Sequence, residues 1–156
     1  LRTVMRLVAF CYGIFFMMEH GSKCLVSACL TGLCTRYDGR SKPDPACLRY
    51  LTTKSRHWIP VCPEQLGGLA TPRPAASLTG GDGYGVLDGT ARVIDCSGLD
   101  VTEPFIRGAQ MVLAIAQAQE ITLCLLKSGS PSCGLSPLTG VTAALLQRHS
   151  IQIMPF

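Results

Sequence analysis

Three short apolar runs in this chain each lead into a turn that carries a cysteine. Leu25-Val26-Ser27-Ala28 runs into Cys29, and Trp58-Ile59-Pro60-Val61 runs into Cys62. Leu123-Cys124-Leu125-Leu126 reaches Cys133 across a short loop of Ser, Gly and Pro. Short apolar runs without polar alternation suit strands buried on both faces, as in a parallel sheet. Helical patterns lie between them, and strands alternating with helices indicate an α/β architecture. The expected fold is a single-domain, Rossmann-like α/β domain: a mainly parallel sheet with flanking helices and a small hairpin insertion. In open parallel sheets, chemistry collects outside the carboxyl ends of the strands. Three thiols meeting there would hold a metal or an iron–sulfur cluster and leave one coordination position free, which suits catalysis better than a structural staple.

The individual elements follow from apolar spacing and from turn residues. Cys24 to Leu30 reads as a first strand stopped by Thr31-Gly32, and Asp38-Gly39 marks a turn. A short helix is expected over 46–51, a second strand over 58–61, and a long ordered loop over 65–85, where Gly and Pro are dense. Val86 to Ile94 reads as a small hairpin turning at Asp88-Gly89. Thr102 is the expected N-cap of a helix reaching about Gln119, with Glu103 and Pro104 in its first turn. A central strand over 121–126, a helix over 140–148 and a closing strand over 151–153 complete the order.

Composition narrows the class. With 156 residues, 47% of them hydrophobic and 15% charged, the chain can bury a core and does not have the make-up of a disordered protein. The net charge of +4 is small and scattered, so it gives no strong nucleic-acid signal. Nine cysteines is an odd number, and a chain this apolar has no need of a disulfide scaffold. A reducing, cytoplasmic setting with some thiols as ligands is the expectation. Leu7 to Met18 is almost wholly apolar and follows Arg2 and Arg6, yet it is too short to span a bilayer comfortably. Residues 1–22 are therefore read as an apolar extension, with Met17 or Met18 as a plausible start, no membrane anchor is expected, and residues 23–156 form the domain.

Several strings then match one family. They are Ser27-Ala28-Cys29-Leu30-Thr31-Gly32 with Arg36-Tyr37-Asp38-Gly39, and Val61-Cys62-Pro63-Glu64-Gln65-Leu66-Gly67-Gly68-Leu69 with Thr71-Pro72-Arg73-Pro74. Gly80-Gly81-Asp82-Gly83, Ser130-Pro131-Ser132-Cys133-Gly134 and Gly140-Val141-Thr142-Ala143-Ala144-Leu145-Leu146 complete the set. From about Cys24 to Ile153 the chain closely resembles a family of small bacterial domains, long of unknown function, that includes the thiouracil desulfidases. That resemblance implies a [4Fe–4S] cluster on Cys29, Cys62 and Cys133, with Glu64 and Ser130 as catalytic residues. It also implies a small thiolated substrate, a nucleobase or similar thioamide, whose sulfur is removed by non-redox hydrolysis as hydrogen sulfide. Two departures stand out. Relatives carry a longer segment before the Gly-Val-Thr-Ala-Ala helix, where this chain has only Leu135-Ser136-Pro137-Leu138-Thr139, and Gly129 stands where many have a larger residue.

The residues also support plainer readings. Thiolates suit soft metals, and cluster ligands need not be close in sequence. No C-x-x-C pair occurs, which counts against a zinc ribbon, although the same thiols could hold zinc in a non-catalytic module. An inactive, truncated family member is the other alternative. Cysteine is commonly a core residue, which is the expectation for Cys11, Cys24, Cys47, Cys96 and Cys124. Cys34 could approach a cluster. Glu64 could activate water, or merely pair with an arginine. Arg36 is expected to pair with Asp38, Arg73 is left open between substrate and structure, and Gly80 to Gly83 reads as a plain turn. His20, His57 and His149 lack ligand spacing and are read as surface residues. Nothing in the sequence fixes the oligomeric state.

Overall fold

The computed structural model describes residues 23–54 and 57–156. Its main sheet has four parallel strands in the order β2-β1-β5-β6: β1 (Cys24–Ser27), β2 (Trp58–Val61), β5 (Leu123–Leu126) and β6 (Gln152–Pro155). A separate antiparallel pair joins β3 (Ala76–Thr79) to β4 (Arg92–Asp95). The helices are α1 (Pro45–Thr53), α2 (Pro63–Leu66), α3 (Gly83–Leu87), α4 (Thr102–Ala118) and α5 (Val141–Arg148). No helix among the described residues is long and apolar enough to cross a membrane. The apolar run over 7–18 and the candidate start residues lie outside the described residues.

The two central strands explain the sheet. Every residue of β1 and β5 is buried, as a parallel strand covered on both faces requires. Side chains alternate between two cores. Leu25, Cys124 and Leu126 pack with Val112, Leu113, Ala116 of α4 and Ala143, Leu146 of α5. Cys24, Val26, Leu123 and Leu125 face Cys47 and Leu51 of α1 on the other side. The result is a three-layer α/β domain. Both edge strands contain a proline, Pro60 in β2 and Pro155 in β6, which interrupts donor rows that would otherwise invite further pairing. A third core, built on Val86, Val93, Phe105, Ala109 and Val141, seats the antiparallel pair against α4 and α5.

Several expected boundaries are corrected. The first strand ends at Ser27, and Ala28–Thr31 forms a 3₁₀ turn closed by Gly32 at φ 102°. Ala28 and Leu30 are buried without being strand, which is why the apolar run misled. The stretch over 65–85 is not one long loop: it holds the end of α2, all of β3 and the start of α3. The expected hairpin over 86–94 is also wrong. Its Asp88-Gly89 pair ends α3, and β4 pairs instead with β3. Thr102 is the first residue of α4 rather than its cap. Val101 holds the cap position, while Asp100 accepts the Thr102 N–H and Thr102 Oγ1 accepts the Val93 N–H.

Candidate active site

The strand order makes β2, β1 and β5 neighbours, so their carboxyl ends open side by side. The chain leaves those ends through Ala28-Cys29, Cys62-Pro63 and the loop from Lys127 to Cys133. Cys29, Cys62 and Cys133 all line one cavity of about 340 Å³, together with Glu64, Arg73, Lys127 and Ser130. The sequence-predicted site residues are thus brought together at the expected end of the sheet. Cys34 is exposed and is absent from the cavity wall. The shortened segment Leu135–Thr139 is likewise absent from the lining, whereas Gly129 is part of it.

Each thiol is held differently. Cys29 lies in the 3₁₀ turn, whose carbonyl accepts the backbone N–H groups of Gly32 and Lys42. Cys62 occupies the N-cap position of α2, with Pro63 as the first helical residue, a place where a missing N–H costs nothing. Its Sγ donates to the Thr35 carbonyl at 3.6 Å. Cys133 is buried in a turn organised by Ser130, whose Oγ accepts the N–H groups of Ser132 and Cys133 at 3.1 and 3.2 Å. The carbonyls of Pro131 and Ser132 cap the N-terminus of α5, accepting from Val141, Thr142 and Ala143. This docking needs a glycine at 140. A Cβ there would lie 2.4 Å from the Ser132 carbonyl.

Burial raises the Cys133 thiol far above the ordinary thiol range, with a Ser27 hydrogen bond opposing and the charges of Glu64, Cys62 and Cys29 adding to it. Burial also raises Cys29, as does Cys62, while Lys127 and Arg36 pull the other way. Thiols in this setting stay protonated until something positive replaces the proton. Among the described residues, no three His, Cys, Asp or Glu side chains draw together closely enough to hold a single metal ion. The remaining described cysteines divide. Cys24, Cys47 and Cys124 are core residues, and burial first of all pushes Cys47 up to about 11 and Cys124 to about 12. Cys96 is exposed, not core as expected, because it follows the last residue of β4 in a turn. Cys11 and His20 lie outside the described residues; His57 and His149 are exposed.

Glu64 follows Pro63 in α2 and is paired at both oxygens. Arg73 Nε donates to Oε2 at 2.6 Å and Ser132 Oγ donates to Oε1 at 3.2 Å. Arg73 also donates to the carbonyls of Thr35 and Ala70 and to Thr71 Oγ1. Ser132 and this role of Arg73 were not legible in the sequence, since their partners are set by tertiary contact. Arg36 does pair with Asp38 through two donors. Asp82 caps α3 by accepting from Tyr84 and Gly85, so the stretch read as a plain turn over Gly80 to Gly83 is the capped start of a helix.

Comparison with known proteins finds a family and two relatives. The 2-thiouracil desulfurase family matches residues 24–155. An uncharacterized protein, YbbK of Bacillus subtilis (strain 168), is 37% identical over 142 residues, covering 83% of this chain and 93% of the relative. A solved structure of TudS, a [4Fe–4S]-dependent thiouracil desulfidase, superposes with a TM-score of 0.71 at 41% identity, covering 86% of this chain and 90% of that one. A specific cysteine framework, a parallel sheet that gathers it, and a match across nearly the whole described domain lead to one assignment: the chain belongs to the 2-thiouracil desulfurase family.

Proposed function

We propose that this protein is a non-redox desulfidase that removes sulfur from a small thiolated substrate, a nucleobase such as 2-thiouracil or a similar thioamide, with a [4Fe–4S] cluster held by Cys29, Cys62 and Cys133. The observation that carries the proposal is the meeting of three thiols from three neighbouring strand ends in one cavity beside Glu64. The donor set fits the group: soft sulfur ligands, each on its own segment, with Arg36, Lys42 and Lys127 along the wall to offset thiolate charge. The likeness to TudS supports the same reading. When bound, the cluster supplies a Lewis-acidic iron that polarises the substrate's C=S bond.

The chain's own residues supply the proton chemistry. Each carboxylate oxygen of Glu64 spends one lone pair on Arg73 or Ser132 and keeps another, so it can accept a proton from water. The water oxygen bonds to the thiocarbonyl carbon, the C–S bond breaks, and sulfur leaves with two protons as hydrogen sulfide. No electrons are exchanged with a third party. Ser130 uses its lone pairs on two backbone N–H groups and retains its hydroxyl hydrogen, which it can donate to the substrate or the attacking water.

The test is turnover of 2-thiouracil by protein purified and assayed without oxygen, followed as loss of thiocarbonyl absorbance and release of sulfide. Turnover that tracks iron content supports the proposal. Stoichiometric zinc without iron, or iron-replete protein that leaves every thioamide offered unchanged, refutes it.

A further inference from the structure

We propose that Arg73 and Ser132 are positioning residues that act through Glu64, forming a clamp that ties the three cysteine-bearing segments together. This rests on the reading of Glu64 as the group that handles the proton. The geometry is a chain of donors and acceptors across the cavity wall. Arg73 is 6% exposed and Glu64 14%, so the pair stands largely out of water. One guanidinium reaches four acceptors: Nε to Glu64 on the Cys62 segment, Nη2 to the Thr35 carbonyl beyond Cys29, and Nη1 to Ala70 and Thr71. The Thr35 carbonyl it grips also accepts Cys62 Sγ. From the other side Glu64 accepts Ser132 Oγ, and Ser132 sits next to Cys133 with only 1% exposure.

A carboxylate tethered at one oxygen can swing about its last torsion. Tethered at both, its plane is fixed, and so are the lone pairs left over for water. Each tether is itself immobile. Arg73 receives its orientation from three acceptors besides Glu64, and the Ser132 carbonyl is pinned by Thr142 and Ala143 of α5. Lysine cannot imitate this, because a point charge lacks the planar fork that serves several segments at once. The two serines of the Ser-Pro-Ser-Cys motif therefore divide the work. Ser130 builds the turn, and Ser132 orients the carboxylate.

The experiment has two readouts. The first is steady-state kinetics on 2-thiouracil with Arg73→Met, Arg73→Lys and Ser132→Ala, each reconstituted anaerobically and matched for iron. A misplaced base costs on the order of 10²-fold in kcat, and KM stays within about threefold of the parent. Arg73→Lys recovers only a small part of the loss. A raised KM at unchanged kcat would overturn the proposal, because it would mean that Arg73 binds substrate directly. The second readout is urea unfolding of the same proteins in a double-mutant cycle with Glu64→Gln, which needs no turnover. Each single change lowers the midpoint, and the double change lowers it no further than the worse single one. Additive losses would overturn the clamp. Should Arg73→Met fail to fold, Ser132→Ala with Glu64→Gln completes the same cycle. Parent protein without turnover would count against the proposed activity, while the urea cycle would still decide the clamp.

Discussion

Gly108→Ala should damage the site through the backbone that carries Cys62 and Glu64. Gly108 lies inside α4, where alanine ordinarily gains about 1 kcal/mol over glycine. Here the helix meets α2 backbone to backbone. A Cβ at 108 would stand 2.0 Å from the Pro63 carbonyl oxygen, and one at Gly67 equally close to that of Pro104. Carbon–oxygen contacts settle near 3.3 Å, so α2 must retreat by roughly 1.3 Å. The obstacle is main chain, which cannot rotate aside as a side chain would. Overpacking of this kind costs about 1–3 kcal/mol, and the upper end applies, leaving a net loss of about 2 kcal/mol after the helix gain. Retreat also moves Pro63 and with it Cys62 and Glu64. The assay is urea unfolding, with iron per chain measured on the same samples, and Gln117→Ala on the exposed face of α4 as the control. A Gly108→Ala protein as stable as its parent and full of iron would refute the reasoning.

Three further outcomes are expected. Ser130→Ala removes the acceptor for two buried-side N–H groups and should cost about 1–2 kcal/mol in urea unfolding while lowering turnover of 2-thiouracil. Iron loading should depend on pH. Cys29 and Cys133 both have raised thiol pKa values, so each gives up a proton on ligation, and affinity should climb about tenfold per pH unit for each proton released. Reconstitution scored by visible absorbance should therefore be more complete at about pH 8.5 than at about pH 6.5, because both lie below the raised thiol range. The iron-free fold has the opposite trend. Thiols kept protonated by the fold ionise more readily in the unfolded chain, so its stability falls as pH rises beyond the ordinary thiol range.

Much of this was readable because parallel strands buried on both faces announce themselves as continuous apolar runs, as Leu123 to Leu126 does. The same rule overran at Ala28 and Leu30, which are buried by a 3₁₀ turn and not by a strand. The short elements between Cys62 and Asp95 were harder, since a helix of one turn has no periodicity to detect. Pro63 at a first helical position was a usable signal for α2. Asp88-Gly89 misled because glycine with positive φ, here 77°, serves a helix end as well as a hairpin. In the site, the cysteines were legible from where strands meet turns. Arg73 and Ser132 were not, because their contacts with Glu64 span 9 and 68 residues of sequence and exist only after folding.

The central claim is that three particular sulfur atoms carry the cluster. Iron and acid-labile sulfide should be counted per chain after oxygen-free purification of Cys29→Ala, Cys62→Ala and Cys133→Ala, beside Cys34→Ala and Cys96→Ala. The account predicts about four irons per chain in the parent and both controls, and near-complete loss in each of the first three. Full iron in Cys62→Ala, or equal loss in Cys34→Ala, would contradict it.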